Sequence, residues 1–291
     1  MDWDIHARLK RKADIIMINA YVHGYHSRES IRLQDQASTL EELLHSDTIF
    51  PSGSLILEAG CGVGAQTLPL ARNSPGAMIA AVEISEASAC EAKKRVAAAE
   101  LSNVRVVQGD IFHLPFRKRS FDHLFVCFVL EHLPHPVEAL RILKEFVKPG
   151  GYITVIEGDH GSAYFHPNSA AARRAIACQV DLQKRAGGNA MIGRELYPLL
   201  KAAGFSDVSV SPRMVYVDSS RPELVEGFTR KTFTAMIEGI GEAAVNAGII
   251  EQRDFEAGVR DLYRTAEEDG VFCYTFFKAI GINADCLSSL I

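Results

Sequence analysis

Short apolar runs alternate with amphipathic stretches through the middle of the chain. Residues 55–57 are three apolar positions in a row, closed by Glu58-Ala-Gly-Cys-Gly-Val-Gly64, and residues 65–71 read as the start of a helix. A second apolar run, 77–82, ends at Glu83; residues 85–100 are Ala-rich and helical; 104–107 are β-branched and run into Gly109-Asp110. Residues 121–129 form a fourth run. An amphipathic helix follows over 136–146, closed by Lys148-Pro-Gly-Gly151, and 152–156 is a fifth run. Continuous apolar strands separated by helical stretches predict a parallel sheet covered by helices on both faces.

The flanks differ. Residues 1–50 read as helical, with amphipathic segments at 13–22 and 30–45 joined by the turn Tyr21-Val-His-Gly-Tyr-His-Ser-Arg28. That turn is either a plain helix connection or a lid, since Tyr21, His23 and His26 suit the mouth of a pocket. Beyond Glu157, residues 160–204 read as mainly helical and 208–217 as a strand interrupted by Pro212. Residues 222–268 are helical again, and 271–279 form a last, aromatic-rich strand. The expected organisation is a helical cap over 1–50 and one α/β domain over 51–283. Helical elaborations fall at about 160–204 and 222–268, and 284–291 are a tail. The apolar residues of 222–268 (Phe228, Phe233, Met236, Ile237, Ile240) recur at helical spacing, which fits packing on the sheet, a homodimer contact or a lid.

Composition narrows the classes. The chain has 291 residues, 47% hydrophobic and 23% charged, with a net charge of −5 and no long basic run. That argues against a nucleic-acid partner. Six scattered cysteines without a CxxC pair read as reduced thiols of a cytoplasmic protein, not as a disulfide frame or zinc site, and no metal is expected. No run approaches the ~18 apolar residues of a membrane span.

The chemistry gathers at the strand ends. A strand that turns through Gly60, Gly62 and Gly64 into a helix brings bare backbone against a ligand. Glu58 at this turn disfavours a diphosphate and suits a positively charged ligand. Glu83, ending the second strand, is placed to accept both ribose hydroxyls; Asp110 ends the third, where it can accept an adenine amine between Ile84 and Ile111. Glu131 follows the fourth.

Five motifs in order, Glu58-Ala-Gly-Cys-Gly-Val-Gly64, Ala81-Val-Glu-Ile84, Gly109-Asp-Ile111, Leu114-Pro-Phe116 and Ser120-Phe-Asp122, resemble those of class I S-adenosylmethionine (SAM)-dependent methyltransferases. Cys127-Phe-Val-Leu-Glu-His-Leu133, residues 140–143 and Lys148-Pro-Gly-Gly151 extend the likeness over about residues 30–160. It is nearest the small-molecule branch that holds the quinone-biosynthesis C-methyltransferases. The resemblance implies a Rossmann-like, doubly wound α/β fold with a seven-stranded sheet in order 3-2-1-4-5-7-6, strand 7 antiparallel. It implies SAM as cofactor and S-adenosylhomocysteine as product. Methionine would lie against Glu58, Gly60, Cys61 and Gly62, ribose on Glu83, and adenine near Ile84, Gly109, Asp110 and Ile111. Phe128 and Val129 would border the reacting methyl. Tyr25, Arg32 and Gln36 are candidates from the N-terminal helices to close over the cofactor.

The fourth motif lacks the Asn/Asp-Pro-Pro-aromatic signature used on nucleobase or glutamine amines, and no Pro-Cys pair marks a cytosine nucleophile, so Cys127 reads as core. A small organic acceptor is expected. Methyl transfer from a sulfonium is an in-line displacement that asks mainly for alignment, and for some nucleophiles a base. His132, Asp159 and His160 lie on the functional edge as candidates, against the plainer reading of loop and capping residues. Two other functions fit parts of the pattern: a SAM-binding protein without transfer activity, and an NAD-dependent oxidoreductase, whose fingerprint Gly60-x-Gly-x-x-Ala65 and Glu83 also satisfy.

Overall fold

The structure is a computed structural model that describes residues 27–284. Its centre is one sheet. Strands β1 (Leu55–Ala59), β2 (Met78–Glu83), β3 (Val104–Gln108), β4 (Phe121–Cys127) and β5 (Val147–Gly158) run parallel in the order β3-β2-β1-β4-β5. The last strand, β8 (Val271–Ile282), inserts antiparallel beside β5, with β7 (Ser206–Val217) antiparallel on its other side. Seven of the strands therefore follow the expected order, with the penultimate long strand at the edge.

An eighth strand, β6 (Tyr164–His166), falls in the stretch expected to be helical. β8 pairs with β5 only through residues 276–282, so its first residues have a free edge, and β6 fills it at Val271–Cys273. Pro212 does not interrupt β7 either; it sits in register with Phe277. β7 pairs with β8 alone, and an edge strand tolerates a residue without an N–H.

Both faces of the sheet are buried, which is why its strands read as unbroken apolar runs. Ile56, Ile79, Phe125 and Ile156 pack on one side with helices α1 (Ser27–His45), α2 (Thr67–Asn73), α3 (Glu86–Ala98) and α5 (Ala170–Arg185). Leu57, Val82, Leu124 and Val155 pack on the other with α4 (Pro136–Lys144) and α6 (Leu196–Ala202). The region expected as continuous helix over 222–268 is broken. A turn α7 (Pro222–Leu224) leads into a π-helix, Val225–Thr234, then α8 (Ala235–Gly239), α9 (Gly241–Asn246) and α10 (Gln252–Arg264). The π-helix packs Phe228 and Phe233 against the aromatic residues of β8 and lies against α1.

The end of α1 is anchored from below. Buried Lys278 of β8 donates to Asp47 Oδ1 at 2.6 Å, Thr48 Oγ1 at 2.5 Å and the Leu44 carbonyl at 3.5 Å. Buried His45 bonds through Nε2 to Gln66 Oε1 at 2.6 Å, tying the helix to the glycine turn. The five described cysteines are free thiols, and no described helix is long and apolar enough to cross a membrane.

Candidate active site

The carboxyl ends of β1 to β5 face one edge, and the expected site residues gather there. The chain leaves β1 through Gly60 (φ 77°), Gly62 (φ 54°) and Gly64 (φ 79°), all left-handed, the region only glycine enters without strain. Gly60 and Cys61 donate their N–H groups to the Val82 carbonyl at 2.9 Å, which folds the turn back over β2. A Cβ on Gly60 would lie 2.6 Å from Val129 Cγ2, so this glycine is required by close packing against the loop after β4. A Cβ on Gly62 would meet nothing within 4 Å. Gly62 thus offers an open, bare backbone face.

Two acids flank that face. Glu83 accepts the Gly62 N–H at 2.9 Å and the Ser85 N–H at 2.8 Å. Burial raises its carboxyl above the usual range, and these N–H groups oppose the rise. Glu58 is fully buried, and burial pushes its carboxyl up to about 7. The Thr67 hydroxyl, near Glu58 but outside hydrogen-bonding geometry, opposes this shift in part, and the Glu83 charge adds to it. Glu58 Oε2 and Thr67 Oγ1 are buried and have no hydrogen-bond partner. A buried carboxyl oxygen left unsatisfied beside a bare turn fits the ammonium end of a cationic amino-acid ligand, as in SAM, and disfavours a phosphate. Burial also pushes the neighbouring Cys61 thiol well above its ordinary value, so it is a neutral wall residue.

Asp110 follows β3 and stabilises its own turn, accepting the Phe112 N–H at 2.9 Å and lying 2.8 Å from His113 Nδ1. Gly109 donates to the Glu83 carbonyl, which sets this loop beside β2; Ile84 and Ile111 are half-buried on either side.

The fourth strand ends two residues earlier than expected. Phe128 takes a left-handed conformation (φ 57°), and Val129 enters a 3₁₀ turn, Leu130–His132. The cause is Glu157 at the end of β5, which sequence reasoning passed over as a boundary. Its Oε1 accepts the N–H groups of Val129 at 3.0 Å and Leu130 at 2.7 Å, drawing the chain out of the strand. Glu157 is fully buried; burial, then the nearby Glu131, raises its carboxyl well above the ordinary range. A signal was present: like Glu83, it closes an apolar strand. Glu131 accepts from Gln183 Nε2 of α5 at 3.1 Å, and His132 Nε2 lies 3.6 Å from Glu131 Oε1.

Asp159 and His160 follow β5. Asp159 is buried and paired bidentately with Arg194 (2.6 and 2.8 Å), and its Oδ1 also caps the Gly161 N–H. His160 is buried with Nδ1 2.8 Å from the Tyr274 hydroxyl of β8. Neither Arg194 nor Tyr274 stood out in the sequence. From α1, Arg32 is buried and donates to Gln36 Oε1 at 3.1 Å, close enough to His160 to lower its pKa. Tyr25 lies outside the described residues, as do Tyr21, His23 and His26.

The chain resembles known proteins in sequence and in fold. Residues 57–155, roughly a third of the chain, match the family model described as Methyltransferase domain. The demethylmenaquinone methyltransferase of Staphylococcus aureus is 32% identical over 106 residues, 36% of this chain and 43% of that protein. The chain spans between 43% and 62% of the length of the curated relatives it matches. Among solved structures, a SAM-dependent methyltransferase of Thermotoga maritima, described as a possible histamine N-methyltransferase, superposes with a TM-score of 0.54 at 19% identity. The match covers 92% of this chain and 99% of the other. The cyclase SpnF superposes equally well, with a TM-score of 0.54 at 20% identity, over 86% of this chain and 82% of its own. Sheet order and structural likeness agree on a Rossmann-like α/β fold, and residues 57–155 within it, the glycine turn included, match the methyltransferase-domain model.

Proposed function

We propose that this chain is a SAM-dependent methyltransferase that transfers a methyl group to a small organic acceptor. The observation that carries the reading is the glycine turn between two buried acids: Glu58 with an unpartnered oxygen, Glu83 bonded to the Gly62 N–H, and the open face of Gly62 between them. Glu58, Gly60, Cys61 and Gly62 hold the methionyl end, Glu83 the ribose, and Ile84, Gly109, Asp110 and Ile111 the adenine. Arg32 and Gln36 of α1 close over them. SAM, when bound, supplies a methyl on a positively charged sulfur that leaves readily. The chain's own part is alignment and exclusion of water. Phe128, held by its N–H on the Ile156 carbonyl, and Val129, held by Glu157, form the wall facing the acceptor. Asp159, held by Arg194, positions the loop after β5, and His132, beside Glu131, is the group placed to accept a proton where the nucleophile carries one. The free thiols fit a cytoplasmic setting.

The test is calorimetric titration of wild type and Glu83→Ala with SAM, S-adenosylhomocysteine and NAD, followed by a screen of small acceptors. Micromolar binding of the first two, lost in the variant, supports the reading. NAD preference or no binding overturns it. SAM binding without turnover on any acceptor points to a binding role.

A further inference from the structure

Building on the methyl-transfer reading above, we propose that Tyr274 fixes His160 as its Nε2–H tautomer, which makes His160 a hydrogen-bond donor to an oxygen of the acceptor and not the base that deprotonates it. The phenol is locked in place. A Cβ on Gly158 would lie 2.4 Å from the Tyr274 hydroxyl oxygen, so that oxygen sits directly over the last residue of β5. The rings of Phe276, Phe233 and Phe228 surround Tyr274 at 4.7, 5.4 and 5.9 Å.

The direction of the hydrogen bond follows from counting donors. Among the described residues the buried Tyr274 hydroxyl has one hydrogen-bond partner, His160 Nδ1 at 2.8 Å, so the phenol's proton, with no other acceptor to satisfy, turns to that nitrogen. A neutral imidazole has one donor and one acceptor nitrogen; with Nδ1 accepting, Nε2 carries the proton. Both rings stay neutral. Burial raises the Tyr274 phenol well above its ordinary value, so it keeps its proton, and burial lowers the His160 imidazole, so it does not take a second. The charged groups facing His160 come from three elements: Arg32 of α1, Glu131 and His132 of the turn after β4, and Asp159 of its own loop. The two acids favour the imidazolium while Arg32 and His132 oppose it, burial outweighs the acids, and Asp159 is already committed to Arg194. His160 is further held by its backbone N–H on the Ala190 carbonyl at 2.9 Å. Nε2 makes no hydrogen bond to a described residue.

A fixed, neutral N–H donor at an acceptor site recognises an oxygen that carries or develops negative charge. The acceptor class is therefore one with a phenolic, enolic or carbonyl oxygen beside the methylated atom. Tyr274 is a positioning residue that acts through His160.

The experiment is nuclear magnetic resonance of protein carrying nitrogen-labelled histidine, with His160 assigned from His160→Gln. The expected result is a protonated Nε2 and an unprotonated Nδ1, unchanged between about pH 6 and about pH 8. In Tyr274→Phe, Nδ1 loses its donor, and the two tautomers mix or the ring titrates. A wild-type His160 protonated on Nδ1, or an imidazolium in that range, overturns the proposal, and wild type alone decides this if the variant fails to fold. Para-nitrophenol, whose phenolate is read by absorbance, then probes the oxygen site of protein loaded with S-adenosylhomocysteine. Binding should weaken roughly tenfold in His160→Phe and recover in His160→Gln, which keeps a donor; equal binding by all three overturns the proposal. A protein that shows the tautomer but binds no S-adenosylhomocysteine refutes the methyltransferase reading and leaves the dyad standing.

Discussion

Gly60 and Gly62 of the turn after β1 should fail in different ways when substituted, and the difference can be worked from the geometry. Both have left-handed φ, 77° at Gly60 and 54° at Gly62. Giving either a methyl group costs about 1–2 kcal/mol of backbone strain. At Gly60 the methyl also meets Val129, with Cγ2 at 2.6 Å and Cγ1 at 3.2 Å. Val129 cannot retreat freely, because its N–H is held by Glu157 at 3.0 Å. Overpacking adds about 1–3 kcal/mol, and the Tm of Gly60→Ala should fall by on the order of 10 °C. At Gly62 an added Cβ meets nothing within 4 Å, so Gly62→Ala should fold with a loss of only about 1–2 kcal/mol. Its methyl instead occupies the face on which the cofactor is proposed to lie, and affinity for S-adenosylhomocysteine should drop by roughly tenfold to a hundredfold. Urea denaturation and calorimetric titration on the same samples separate the two effects. The reasoning is refuted if Gly62→Ala binds S-adenosylhomocysteine like wild type, or if Gly60→Ala is no less stable than Gly62→Ala.

Three further outcomes follow from the buried acids. Glu157→Ala leaves the Val129 and Leu130 N–H groups without their acceptor and should cost about 2–4 kcal/mol in denaturation, whereas Glu157→Gln keeps an oxygen for both and should cost about 1 kcal/mol or less; equal losses would count against the capping role. Glu58, at about 7 in the fold against 4.5 unfolded, holds its proton more tightly when folded. It therefore contributes stability that is complete below pH 4.5 and is lost as pH rises towards 7, by about 3 kcal/mol in all. Glu58→Gln should flatten the stability profile across that window, and an unchanged slope would show that Glu58 is not the group responsible. A cationic ligand at Glu58 favours the ionised carboxyl, so wild-type affinity for SAM should rise as pH passes about 7 and that of the variant should not.

What the sequence made legible was local. The run from Leu55 through Gly64 announces strand, turn and helix because burial on both faces and positive φ each leave a residue-type mark. Glu83 and Asp110 could be placed because each ends an apolar run. Glu157 carries the same mark, yet its partners, the N–H groups of Val129 and Leu130, have no side-chain identity to read. The His160–Tyr274 pair spans 114 residues and depends on β8 inserting beside β5; in the sequence, Tyr274 looks like one more strand aromatic. β6 is three residues long, too short for any period. The π-helix looks like a helix because its side chains still present one apolar face.

The anchoring of α1 by Lys278 also bears on how the chain is made. β8 lies between β5 and β7, so the strand translated last of those described is an inner member of the sheet. Lys278 meets Asp47 and Thr48 across more than two hundred residues of sequence. A nascent chain still lacking β8 can assemble β1 to β5 but cannot seat the end of α1, and it has no Tyr274 to hold His160. Pairings of such long sequence separation form slowly. Insertion of β8 therefore completes the sheet, seats the end of α1 and brings Tyr274 to His160 in one late step.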